Sequence, residues 1–458
     1  MKVLLAVHGY PPELVGGTEL TVRRLAHALV RAGHETLVFG GTLDWEKRGT
    51  LEETRDAVAD AAAGRAVRVL RYSRDDLYFD HWAKGRSARV RKAFIEILKA
   101  ERPDVVHVHH WIRLSRDLVA AAATCGVPSV VSLHDAWTSC LVAFRIRPAT
   151  REACNVPLAA EPCVACAAHL PPPTPWLSPD EARARFAAHR ADLVRELRLA
   201  RAIVVPTHSH TRTIEAGLLL APGALSAHVV PPPVELPQPV RTPARFARGD
   251  VLRVGSWGHY AEHKGLDVLI DALRACEGRV ELRLAGGVVL PEYRKLLEER
   301  ARGLPIVFDD AFAAHELAAH RVSDVHLFAS GSRARESWGL VVDEAFALGL
   351  PVVLPNAGAF EERVGRHAAA RLYEQGSSAA LAAVLLGLAN DPARVAALSA
   401  AVPERARLER TGDDHARALL PLYAAACESG APATDAAFDD ARDLAEQASF
   451  DARVMGTA

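Results

Sequence analysis

Three absences narrow what this chain can do. Net charge is nearly missing: 55 Lys and Arg against 56 Asp and Glu leave −1 over 458 residues. So even a balance gives no electrostatic footprint for nucleic acid and no strong attraction to an anionic membrane surface. The local basic run KGRSARVRK, Lys84 to Lys92, reads as a solvated helix face rather than a lipid patch. A long apolar stretch is missing too: none reaches the roughly 20 apolar residues of a membrane-spanning helix. The opening MKVLLAVHGY is too short and too soon interrupted for a secretory signal. A cytoplasmic protein is therefore expected, with no nucleic-acid partner and no transmembrane segment, peripheral membrane contact staying open. Seven cysteines in such a reducing compartment argue against a disulfide framework.

Half the residues are hydrophobic, enough for two cores in domains of roughly two hundred residues each. Short apolar runs alternate with helix-length segments twice over. VLLAV, TLVFG, DVVHVH, PSVVSL and AIVVP make one series; VLRVGSW, VELRLAG, PIVFDD, DVHLFA and LPVVLP make the other. Runs of Val, Ile and Leu without alternation fit strands buried on both faces, as in parallel sheets with crossover helices. The spacing predicts two doubly wound α/β domains. Prolines across VVPPPVELPQPVRTPARF, Val229 to Phe246, mark the connector between them. Ser178, Pro179 and Glu181 make a helix start with a serine cap, a first-position proline and a capping-box glutamate. Beyond about Gly430 the Ala- and Asp-rich tail is expected to be partly disordered.

The chemistry centres on RESWGLVVDEAFALGLPVV, Arg335 to Val353. Leu340 to Leu348 is helix-like, and Gly349 and Pro351 end it before a strand. The backbone N–H groups of Ser337, Trp338, Gly339, Leu340 and Val341 are then the open donors of a helix start, which attract a phosphate. Glu336 and Glu344 flank them. Carboxylates repel phosphate but accept hydrogen bonds from sugar diols. A ligand with sugar, phosphate and sugar in series would use all three parts.

This segment closely resembles the glutamate-x7-glutamate signature of family 4 retaining glycosyltransferases, the glycosyl transferases of group 1. That resemblance covers residue 1 to about residue 428. It implies the GT-B fold: α/β, two Rossmann-like doubly wound domains facing across a cleft. Residues 1–235 would bind the acceptor and carry a Cys-rich insertion at 138–170; residues 247–405 would bind the nucleotide-sugar donor. Residues 406–428 would form a helix packing back on the N-terminal domain, with 429–458 as tail. Glu336 would face the donor hexose and Glu344 the ribose. Gly16 and Gly17, in HGYPPELVGGTE, are similar to the family's Gly-Gly-x-Glu loop near the donor phosphates. His134, in SVVSLHDAW, would contact the transferred sugar, with Asp135 orienting its loop. Lys264, in GSWGHYAEHKG, would hold the diphosphate.

One position departs from the family pattern. His259 stands where an arginine is common, and a neutral imidazole supplies no permanent charge. Arg335 or Arg333 could supply one instead. The loop PNAGAFEE around Gly358 lies where a diphosphate could also be contacted. The reaction implied is retaining hexosyl transfer from a nucleotide-diphosphate sugar, first guess a UDP-sugar, to a hydroxyl on a glycan, a lipid-linked sugar or a small molecule. Polysaccharide or glycoconjugate biosynthesis is the setting expected. His134, Lys264 and Glu336 are the catalytic candidates. No Asp-x-Asp metal motif is present, so catalysis needs no cofactor on this reading. A sugar-nucleotide epimerase, a sugar phosphorylase or a non-catalytic sugar-nucleotide binder are the alternatives.

Cys140, Cys154, Cys163 and Cys166 fall in one irregular stretch, the last two as C-x-x-C. Four thiolates can complete a structural zinc site. Packing cysteines, redox pairing and an iron–sulfur centre are the other readings. In HVHHW, His107 reads as a strand residue, and His109 and His110 as residues bordering the cleft.

Overall fold

The computed structural model describes residues 1–59, 65–158, 161–170, 172–237, 244–404 and 407–456. The chain forms two compact units. One holds residues Met1–Ala143, Asn155–Pro233 and Arg410–Ala458; the other holds Phe144–Cys154 and Val234–Glu409. Residues 238–243 of the proline-rich connector lie outside the described residues.

The first unit carries eight strands: β1 Lys2–Val7, β2 Glu35–Gly41, β3 Leu51–Ala57, β4 Ala66–Tyr72, β5 Val105–Val108, β6 Ser129–Ser132, β7 Ala202–Val205 and β8 Ala227–Val229. Their order is β3-β4-β2-β1-β5-β6-β7-β8. All pair in parallel except the edge pair β3–β4. Apolar side chains on the two faces feed two separate clusters, one around Phe94 and Leu118, the other around Val22, Leu25 and Tyr423.

The second unit carries β9 Leu252–Trp257, β10 Val280–Ala285, β11 Ile306–Asp309, β12 Leu327–Ala329, β13 Val352–Pro355 and β14 Ala370–Tyr373. Their order is β11-β10-β9-β12-β13-β14, parallel throughout. Central strands are buried on both faces, as the continuous apolar runs require. In each sheet the strand order reverses beside the first strand: between β1 and β5, and between β9 and β12. Ligands of open α/β sheets sit outside the carboxyl ends at such reversals.

The expected helix start at Ser178 is present. Its Oγ accepts from the Glu181 N–H at 3.2 Å, while the Glu181 carboxylate accepts from the Ser178 N–H at 2.9 Å. Among the described residues no single helix is long and apolar enough to cross a membrane.

The tail, expected to be partly disordered, carries a helix, Asp440–Met455, capped by Asp439. One expectation that this helix bears on is corrected: the basic run is not simply a solvated face. Lys84 and Arg91 are each 2% exposed. Arg91 pairs with Asp117, Asp440 and Asp443, and Lys84 bonds Asp451 at 2.6 Å and Asp76 at 2.8 Å. Three of those carboxylates come from the tail helix, and Gln447 of the same helix donates to the Arg86 carbonyl at 2.9 Å. Each segment looks unstructured or solvated alone; together they neutralise each other.

Candidate active site

In the second unit, residues following β9 and β12 meet at the strand-order reversal. Gly265 follows the short 3-10 turn Glu262–Lys264 and takes φ +59°. Its backbone lies so near Gly331 that a Cβ on either would stand 2.0 Å from the other's carbonyl oxygen. Only glycine allows this approach, and it brings Lys264 to the loop after β12. There Glu336 Oε1 accepts from Lys264 Nζ at 2.9 Å and from Ser332 Oγ at 2.9 Å. The Gln375 amide ties the same loop by donating to the Arg333 and Ala334 carbonyls at 3.1 and 3.2 Å. Burial works to raise the Glu336 pKa, but Lys264 and the Ser332 hydroxyl outweigh it and hold the carboxyl below its usual range. Glu336 is thus an ionised acceptor at neutral pH.

The helix expected at Leu340 to Leu348 spans Leu340–Ala347, with Gly339 as its cap at φ +79°. Glu344 lies in its second turn and accepts from the Trp257 indole N–H at 2.7 Å. Trp257 ends β9, is 7% exposed and packs on Phe328, so the carboxylate is aimed by a rigid donor. The loop before the helix is pinned as well. Trp338 donates its indole N–H to Asp343 at 2.8 Å. Arg363 bonds the other Asp343 oxygen at 2.8 Å and the Trp338 carbonyl at 2.8 Å, and its guanidinium lies 3.7 Å from the Trp338 ring centroid. Ser337 leads into this clamped turn.

The cations divide. Burial and the Lys264 charge lower the pKa of His259, so it is neutral at pH 7. His263 is pushed down to about 3, first by burial and then by Lys264; its ring stacks on Phe144 at 3.7 Å. Arg333 is committed to Asp267, 2.8 Å away, and to the Arg151 carbonyl. Arg335 forms no hydrogen bond or ion pair among the described residues, and its Nε is buried.

In the first unit the strand-order reversal is lined by histidines. His134, just after β6, has Nε2 2.9 Å from His109 Nδ1. Burial pushes His134 down to about 3, against the pull of Asp135. Asp135 accepts from the Trp137 N–H at 2.8 Å and faces His110 at 3.5 Å. His107 is a buried β5 residue between Tyr423 and Ser132, at 2.6 and 2.8 Å. Gly16 caps the helix Gly17–Arg31 in extended conformation, and a Cβ there would meet the Glu19 carboxylate at 2.7 Å. Glu19 pairs with His8 Nε2 at 2.9 Å.

Sequence reasoning did not single out Ser332, Trp257, Asp343, Arg363, His8 or Glu19. His8 and Glu19 fall in HGYPPELVGGTE, Trp257 in GSWGHYAEHKG and Asp343 in the Arg335–Val353 segment, so four of the six lay inside stretches already noted. For Ser332 and Arg363 the chain carries no local signal.

The zinc expectation finds no support. Cys154 falls in the second unit and Cys140, Cys163 and Cys166 in the first; none of the four is in a disulfide. Cys163 Sγ donates instead to the Pro157 carbonyl at 3.6 Å. Among the described residues no three His, Cys, Asp or Glu side chains are grouped to hold a metal ion.

Residues 15–237 match the family described as Glycosyltransferase Family 4, and residues 248–391 match the one described as Glycosyl transferases group 1. Glycogen synthase of Mycobacterium tuberculosis is 29% identical over 142 residues, 29% of this chain and 33% of that protein. A GDP-mannose-dependent alpha-(1-6)-phosphatidylinositol monomannoside mannosyltransferase of the same organism is 30% identical over 168 residues, 34% of this chain and 43% of the relative. The chain thus spans less than half the length of these curated relatives. Among solved structures, Anabaena HepE in complex with UDP and glucose superposes with TM-score 0.58 at 18% identity, covering 93% of this chain and 99% of HepE. Sucrose-phosphate synthase from Thermosynechococcus elongatus gives TM-score 0.58 at 16% identity, with 94% and 97% covered. Two Rossmann-like sheets of this topology, and family matches over both units, show that the chain belongs to the family 4, group 1 glycosyltransferases and has the GT-B fold.

Proposed function

We propose that the protein is a retaining hexosyltransferase that moves a sugar from a nucleoside-diphosphate sugar, held by the second unit, to an acceptor hydroxyl bound by the first. The observation that carries this reading is the Lys264–Glu336–Ser332 constellation beside a clamped helix start, with Glu344 aimed from that same helix by Trp257. A fixed cation, an ionised carboxylate on each side and the N–H end of a helix match diphosphate, hexose and ribose in turn. A uridine donor is the first choice, since the similarly folded HepE is seen with UDP and with UDP-glucose.

In the reaction, the bond from anomeric carbon to phosphate oxygen breaks and its electron pair leaves on the diphosphate. Lys264 and the N–H groups at the start of the Leu340–Ala347 helix stabilise that developing charge. The anomeric carbon gains oxocarbenium character, and the acceptor oxygen bonds to the same face. Its proton passes to the departing phosphate oxygen, so no enzyme nucleophile takes part. Glu336 accepts from a hexose hydroxyl and Glu344 from the ribose diol. Neutral His134 offers a hydrogen bond to the transferred sugar without adding charge.

The test is transfer from UDP-glucose by Lys264→Ala and Glu336→Gln. Each is expected to lose about 100–1000-fold in kcat while its circular dichroism and melting profile stay those of a folded chain. Normal turnover in both variants would overturn the proposal. Release of free sugar without any acceptor separates an enzyme from a mere binder of the donor.

A further inference from the structure

The arginines around the second unit's site are matched to acids, with one exception. Arg333 has Asp267 at 2.8 Å, Arg363 has Asp343 at 2.8 Å and Arg151 has Glu262 at 2.9 Å. Arg335 has no such partner among the described residues, although its Nε is shut away from solvent. A guanidinium cannot shed its proton to escape this situation. A half-buried cation without an anion is a standing cost, which an arriving anion removes.

Its position says which anion. Arg335 directly precedes Glu336, whose carboxylate already engages Lys264. The backbone beneath both residues is held: Ala359 N–H donates to the Glu336 carbonyl at 2.9 Å. Gly358, at φ +60°, packs so closely that a Cβ there would stand 3.1 Å from Arg335 Cα. Lys264 shares its charge with Glu336, His259 is neutral and Arg333 is occupied. A diphosphate carries more negative charge than Lys264 alone can offset.

We propose that Arg335 is the second cation of the donor site and pairs with the diphosphate group. The inference rests on the donor reading above. Arg335 would supply the planar fork that phosphate oxygens accept in pairs.

The experiment is calorimetric titration of the full chain with UDP and, separately, with inorganic pyrophosphate, for the wild type, Arg335→Gln and Arg335→Lys. Arg335→Gln is expected to weaken both ligands about 10–100-fold, and Arg335→Lys to recover part of the loss because it restores charge without the fork. Equal affinity of wild type and Arg335→Gln for both ligands would overturn the proposal, as would wild type binding neither. The two readings fail differently. Arg335-dependent binding of pyrophosphate with no binding of UDP, GDP or ADP would sink the donor reading and keep the anion site. Undiminished UDP binding by Arg335→Gln would do the reverse.

Discussion

The first sheet ends, where its strand order reverses, in histidines; the second ends in ions that pair. His109 and His134 share a hydrogen bond and His8 leans on Glu19, and burial lowers the pKa of all three imidazoles. In the second unit Lys264 and Glu336 face each other at 2.9 Å as an ion pair. The difference teaches what each end is suited to hold. Neutral imidazoles donate and accept without fixed charge, which suits sugar hydroxyls, whereas the ionic end suits a diphosphate flanked by diols.

Acid should separate the two units most. His81, His210 and His415 of the first unit are buried and lowered to about 4, and His134 to about 3. A histidine whose folded pKa lies below its unfolded value of about 6.5 stabilises fully above that pH, and the stabilisation drains away as pH falls towards the folded pKa. At pH 5 each of the three near 4 has lost about 2 kcal/mol. The second unit has His263 in this condition. Amide exchange between pH 7 and 4.5 is therefore expected to show the first unit opening before the second; the opposite order breaks the contrast.

A somewhat smaller effect follows from the first unit's buried ions. Arg91→Met strands Asp117 and Asp443, 1% and 5% exposed, and should cost about 3–5 kcal/mol. It should also release the tail helix, read as faster proteolysis beyond residue 430. An unchanged melting temperature with a protected tail would show that the ion cluster does not hold that helix.

The smallest effect sharpens the second unit's side. Trp257→Phe keeps the ring packing on Phe328 but removes the indole N–H from Glu344. A hydrogen bond to a charged group contributes about 1.5–3 kcal/mol, so UDP should bind roughly tenfold more weakly, with discrimination against 2′-deoxy-UDP reduced. Unaltered discrimination would show that Trp257 does not orient Glu344 for ribose.

How far the chain could be read varied with the kind of interaction. Central strands such as β1, β9 and β13 are apolar runs and were plain. β3, LEETRDA, is a polar antiparallel edge strand with mostly exposed residues, and it offers no apolar run. β4 alternates, and β14, ARLY, has its short run broken by an arginine. Within the site, Glu336, Glu344 and Lys264 stood out because they carry a motif. Ser332 and Arg363 did not, because a serine in a loop or an arginine in a helix is ordinary until its partner is known.

Composition and pattern determined two parallel sheets, since unbroken apolar runs between helical segments can be buried only that way. They also determined local devices such as the Ser178 capping box, which needs nothing beyond four consecutive residues. Tertiary structure alone decided which charges are spent. Arg91 meets Asp440 across 349 positions of chain, and Lys264 meets Glu336 across 72. Charge attraction depends on distance in space, so only the folded chain shows that Arg333 is taken and Arg335 is left.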